Sequence, residues 1–258
     1  MRNLEKIAQG QQMSSYTYSL SMFDQAISLC AKPAMFRDNI LAFMSSVILL
    51  SNISHAEAVY IKDFSIDQTE VTVGSFAEYS ELEGILTQAE KKGGGYEWAA
   101  GWKRRNGWTY KSPQGKLAAF DEPVVHVTWD EASSYCAYKG GRLPTRDEWI
   151  LAAFTELRDE PHGEYLKGKV YRYPVGDTPM GMNINRSHHL SVKTTSRGVN
   201  GLFDMGGNVW EWLADRRDDQ ALTAGGSWWY GPEKSTRNGL QWKPIGFYAV
   251  YIGFRCVY

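Results

Sequence analysis

The segment that leaves this chain the fewest options is Gly201-Leu202-Phe203-Asp204-Met205-Gly206-Gly207-Asn208-Val209-Trp210-Glu211-Trp212. Gly206 and Gly207 open backbone angles closed to other residues, so the chain can turn sharply there, and Trp210 and Trp212 each bring a large apolar surface that has to be covered. A buried, folded-back loop is the expected result. Inside it Asp204, Glu211 and any inward-pointing carbonyls require partners, because a buried carboxylate without one is costly. Two solutions are open. A hard cation with oxygen ligands satisfies all of these groups together, whereas arginines or backbone amides satisfy the carboxylates one by one.

Local signals mark out the elements around this loop. Tyr60 to Thr72 alternates β-branched and aromatic residues with polar ones, the period of a half-buried strand. Thr72 can then cap a short helix with Phe76 and Tyr79 on one face. Thr128-Trp129-Asp130-Glu131 and Thr145-Arg146-Asp147-Glu148 are both capping boxes. The first predicts a helix to about Tyr138 with Trp129, Ala132, Tyr135 and Cys136 on one face, stopped by Gly140 and Gly141. The second predicts a helix marked by Trp149, Ala152, Ala153 and Glu156. Between Tyr96 and Gly115 the chain is rich in Trp, Gly and Arg without clear periodicity, as functional loops often are. His126, in an apolar run, is expected to be a satisfied core histidine, and His188-His189 an exposed loop pair.

Together with the opening segment, four stretches carry a resemblance: Pro123-Val-Val-His126-Val-Thr128-Trp129-Asp130-Glu131-Ala132, Arg142-Leu143-Pro144-Thr145-Arg146-Asp147-Glu148-Trp149, Gly225-Gly226-Ser227-Trp228 and Gly253-Phe254-Arg255-Cys256. In order and content they resemble the formylglycine-generating enzyme (sulfatase-modifying factor) family, from about Tyr60 to the last residue. The resemblance implies an α+β fold of C-type-lectin-like type, loop-rich, with short helices and antiparallel strands. It implies calcium held by the side chains of Asp204 and Glu211 and the carbonyls of Gly207 and Val209. It also implies a disulfide between Cys136 and Cys256. Cysteine counting agrees if Cys30 leaves with the leader, two buried thiols being the alternative.

One part of the family pattern is absent. Active members place two cysteines just after the Gly-Gly-Ser stretch, where soft thiolates bind copper(I). Here those positions are Tyr230 and Ser235, and neither side chain replaces a thiolate, so copper is not expected. Ser227 matches an active-site serine of the family, and Trp228, Trp229, Tyr230 and Arg237 are the groove candidates. Aromatic faces suit peptides or rings, and arginine suits a carboxylate or phosphate. The alternative is that these aromatics complete the core.

The leading residues differ in character. Ile40 to Leu50 is an apolar run behind Arg37, and small residues follow at Ala56 and Ala58, the layout of a secretory signal peptide over about 35–58. As a helix the run would reach only about 16 Å, roughly half of a bilayer core, so no permanent membrane span is expected. Residues 1–58 are therefore assigned as leader, with Met35 a possible translation start, and 59–258 as the family-like domain. A periplasmic or secreted location follows. With a net charge of -1 and no long basic block, the electrostatic footprint of a nucleic-acid or acidic-membrane partner is missing, and no nucleic-acid partner is expected. The functional expectation is an accessory or binding factor for maturation of a periplasmic enzyme, peptide or cell-envelope system, with a peptide or protein partner. The alternative is an oxidative maturation enzyme working without the cysteine pair.

Overall fold

The computed structural model describes residues 57–258. The leader, its apolar run and Cys30 lie outside the described residues. Strands β1 (Ala58–Ile61) and β2 (Phe64–Asp67) form an antiparallel hairpin with Ile61 opposite Phe64. The continuous strand expected over this stretch is therefore broken in two, because Lys62 turns the chain in the left-handed region at φ 55°.

Helix α1 (Val73–Leu82) starts where Thr72 Oγ1 accepts from the Ser75 amide, and it buries Phe76 and Tyr79. A one-turn helix α2 (Gln88–Lys91) follows, capped reciprocally by Thr87 and Glu90. Strands β3 (Gly94–Trp98) and β4 (Trp102–Asn106) pair as a second hairpin. Helices α3 (Trp129–Tyr138) and α4 (Arg146–Phe154) begin at the capping boxes of Thr128 and Thr145. Helix α4 stops at Phe154, so Glu156 lies beyond it, in an ion pair with Arg158 at 2.7 Å.

The central sheet has strand order β7-β6-β5-β8, with β5 (Trp210–Arg217), β6 (Gln220–Ala224), β7 (Gln241–Pro244) and β8 (Ile252–Gly253). Strand β8 runs parallel to β5, and the other pairs are antiparallel. Successive residues of a strand face opposite sides. Accordingly Trp210 and Trp212 enter the core that holds Phe76, Tyr135 and Phe254, while Leu213 enters the one that holds Trp149, Phe154 and Leu222. A disulfide between Cys136 and Cys256, with Cα atoms 5.5 Å apart, ties α3 to the chain end. Among the described residues no helix is long and apolar enough to cross a membrane. The arrangement is the α+β, loop-rich one expected.

Candidate functional site

The loop before β5 turns through three residues in the left-handed region, Asp204 (φ 59°), Gly207 (φ 80°) and Asn208 (φ 49°). At Gly207 a Cβ would meet the Asn183 carbonyl oxygen at 2.4 Å, so side chains are excluded there on two grounds. Asn208 pins the loop from inside. Its carboxamide donates to Glu70 Oε1 at 3.0 Å, and its Oδ1 accepts from Asn183 Nδ2 at 2.9 Å and the Leu190 amide at 2.8 Å. Trp212 Nε1 donates to the Val127 carbonyl at 3.1 Å, which joins the loop to the segment before α3.

The carboxylates of this loop meet an arginine. Arg255, fully buried, grips Glu211 through Nε at 2.8 Å and Nη2 at 2.7 Å, and Trp149 Nε1 donates to Glu211 Oε2 at 2.7 Å. Nη1 donates to the Asp67 carbonyl at 3.0 Å and Nη2 also to the Phe203 carbonyl at 2.9 Å. Asp204 accepts from Thr195 Oγ1 at 2.5 Å and from the Lys193 amide at 3.1 Å. Glu70 is buried with Oε2 unpartnered. Burial, reinforced by the nearby Asp204 carboxylate, raises its pKa well above the usual range. Burial also pushes Asp67 up to about 6 against the hydrogen bond from the Cys256 amide.

Calcium demands an open ring of oxygen donors. Asp204, Gly207, Val209 and Glu211 offer the right atom types, but both oxygens of Glu211 are engaged by Arg255 and Trp149 and both oxygens of Asp204 by Thr195 and Lys193. The residues as arranged do not fit the ion. The arginine-and-amide solution accounts for both carboxylates.

At the positions where the family resemblance implies thiolates, Tyr230 is half-buried against Trp210, with ring centroids 5.5 Å apart, and Ser235 is buried with Oγ unpartnered. Burial raises the Tyr230 hydroxyl, opposed by the Trp210 indole, although Trp210 Nε1 completes no hydrogen bond. Lys243 Nζ lies 4.4 Å from the Trp210 ring centre, bonded to Gln241 Oε1 at 3.0 Å, and burial pulls its pKa down to about 8.

The groove candidates divide. Ser227 is buried, and its Oγ accepts from the Trp229 amide at 3.4 Å. Trp228 is buried too, tilted against Tyr251 with ring centroids 5.1 Å apart, so it completes the core instead of lining a groove. Trp229 is 37% exposed and packs on Tyr251 at 6.1 Å. Arg237 is elsewhere. It lines a concavity of about 290 Å³ with Arg146, Leu222, Asn238, Leu240 and Trp242.

Two exposed tryptophans that pattern reading left unassigned extend the aromatic surface. Trp98 and Trp102 face each other across the β3–β4 hairpin at 5.5 Å, and Trp102 packs on Phe247 at 4.7 Å and Tyr251 at 6.2 Å. Tyr251 thus joins them to Trp229. The spacing Trp98-Ala-Ala-Gly-Trp102, symmetric about a small-residue tip, was the available signal. The histidines correct two expectations. His189 is buried, bonded to Glu122 Oε2 at 2.9 Å, so it is no exposed loop residue. His126 Nε2 meets the Pro113 carbonyl at 2.9 Å, but its Nδ1 has no partner, and burial lowers its pKa to about 4.

The family model described as a sulfatase-modifying factor enzyme 1-like domain matches residues 42–258, beginning ahead of the position 59 expected from sequence. The chain is 31% identical over 186 residues to a formylglycine-generating enzyme of Streptomyces coelicolor, covering 61% of this chain and 59% of that enzyme. It is 30% identical over 206 residues to the inactive C-alpha-formylglycine-generating enzyme 2 of Mus musculus, covering 67% and 66%. The chain therefore spans about three-fifths to two-thirds of the length of these relatives. Among solved structures, PvdO from Pseudomonas aeruginosa shares the fold at a TM-score of 0.55 and 17% identity, over 75% of this chain and 79% of that one. The glycine turn, the paired capping boxes and the Gly-Phe-Arg-Cys ending all fall within the matched residues, and the chain belongs to the sulfatase-modifying factor family of formylglycine-generating enzymes and their relatives.

Proposed function

We propose that this chain is an exported accessory or binding factor for the maturation of a cell-envelope enzyme or peptide, and that it does not carry out the copper-dependent oxidation of cysteine. The observation that carries this proposal is the replacement of both thiolate positions by Tyr230 and Ser235, with Cys136 and Cys256 joined to each other. Copper(I) selects sulfur ligands, and a phenol and an alcohol do not supply them. Overall similarity does not decide the matter, since an active and an inactive relative match almost equally. The residues at the two expected thiolate positions favour the binding reading.

In place of metal chemistry the surface offers aromatic area. Trp229 and half-buried Tyr230, backed by the buried Tyr251, form a platform onto which a peptide can lay apolar or planar side chains. The test is to incubate the purified chain with a cysteine-containing sulfatase peptide and copper(I), following oxygen uptake and peptide mass. Neither aldehyde nor oxygen consumption is expected, while retention of an envelope partner should fall about tenfold or more in Trp229→Ala, as for an aromatic anchor. Conversion of the peptide cysteine by the unaltered chain would overturn the proposal.

A further inference from the structure

We propose that the tip of the β3–β4 hairpin is a membrane-interface anchor, which inserts Trp98 and Trp102 among the headgroups of an anionic bilayer. Trp98 is 45% and Trp102 44% exposed, large fractions for residues of this size. Between them lie Ala99, Ala100 and Gly101, so the tip carries no charged or hydrogen-bonding side chain. Ala100 (φ 52°) and Gly101 (φ 127°) fold the turn tightly, which leaves the two indoles as its most prominent groups. Tryptophan concentrates at the boundary between headgroups and acyl chains, where its apolar body and polar edge are both accommodated.

A collar of cations follows the tip at once. Lys103, Arg104 and Arg105 belong to β4, every residue of which is exposed. Glu97 is the acid of the hairpin, and it pairs with Arg105. Arg104 donates to the Lys92 carbonyl at 2.9 Å, which leaves its charge unneutralised, and Lys103 has no ion-pair partner among the described residues. Strand alternation puts Arg104 on one side of the hairpin and Lys103 and Arg105 on the other. Two cations without an acidic partner, Arg104 on one face of β4 and Lys103 on the other, therefore lie just behind the apolar tip. A plane of phosphates met end-on can contact both sides of such a collar, whereas an acidic protein docked against one side would meet only part of it. Attraction of juxtamembrane cations to anionic lipid is a local effect, which a whole-chain net charge of -1 conceals.

Vesicles of phosphatidylcholine with a quarter phosphatidylglycerol should sediment the purified full chain, and vesicles of phosphatidylcholine alone should sediment much less. Partitioning into the anionic vesicles should weaken about tenfold or more in Trp98→Ala/Trp102→Ala, and by at least about fivefold per substituted cation in Lys103→Glu/Arg104→Glu, loss of one cation near the surface alone accounting for about that much. Trp98→Ala alone, which leaves Trp102 on Phe247, should show part of the loss at an unchanged thermal midpoint. The leader is common to all variants, so equal partitioning of every variant would overturn the anchor. Retention on an immobilised poly-glutamate peptide that depends on Lys103 and Arg104, with lipid binding unaffected by the same changes, would overturn it as well and assign the collar to an acidic protein. These outcomes are independent of the oxygen-uptake test above.

Discussion

Arg255 and a calcium ion would compete for the same carboxylate. The guanidinium already neutralises Glu211 through two hydrogen bonds, and a divalent cation would have to displace or repel it. Addition of EGTA is therefore expected to leave the thermal midpoint unchanged, as followed by scanning calorimetry. A fall of several degrees would mean that a ligand of the folded state had been stripped away. Glu70 supports a second prediction. Its folded pKa lies above the unfolded value of 4.5, so the folded state keeps a proton that the unfolded state releases, and stability is lost as pH rises above that value. Asp67, at about 6, adds a loss of the same sign as pH rises from its unfolded value of 3.8, whereas Glu148, held at about 2 chiefly by Arg142, contributes in the opposite sense at lower pH. Glu70→Gln should flatten that loss in urea titrations run at increasing pH, because the amide does not titrate in either state. That Glu211 needed a partner was legible in its own neighbourhood. That the partner is Arg255, 44 residues on, was not, because the pair forms only when β8 comes alongside β5.

The elements differ in how much of each is local. Capping boxes are written within four residues, and α3 and α4 begin where Thr128 and Thr145 placed them. Thr128→Ala should cost about 1 kcal/mol of stability in chemical denaturation, since the Glu131 amide loses its acceptor. Hairpins were less legible. The β1–β2 turn uses Lys62 at a positive φ without a glycine, and the β3–β4 turn sits in a segment with no clear alternation. Both are set by what the strands pack against. Ser65 exchanges backbone hydrogen bonds with Tyr258, and Val250 donates to the Tyr96 carbonyl, contacts with the far end of the chain that no window of sequence contains.

For the whole molecule the covalent tie between Cys136 and Cys256 closes a loop with a sequence separation of 120. Reduction, or replacement of both cysteines by alanine, should lower the free energy of unfolding by about 2–5 kcal/mol in urea titrations with and without dithiothreitol. The sequence by itself determined the family, the α+β class, the helix starts and the turn at Gly206–Gly207, because each is written in residue identities at short spacing. Tertiary structure decided the rest. It buried Trp228, moved Arg237 to a separate concavity, gave Glu211 to Arg255, and joined Trp98, Trp102 and Trp229 through Tyr251. Burial, charge pairing and surface continuity are relations among distant residues, and they exist only once the chain has closed on itself.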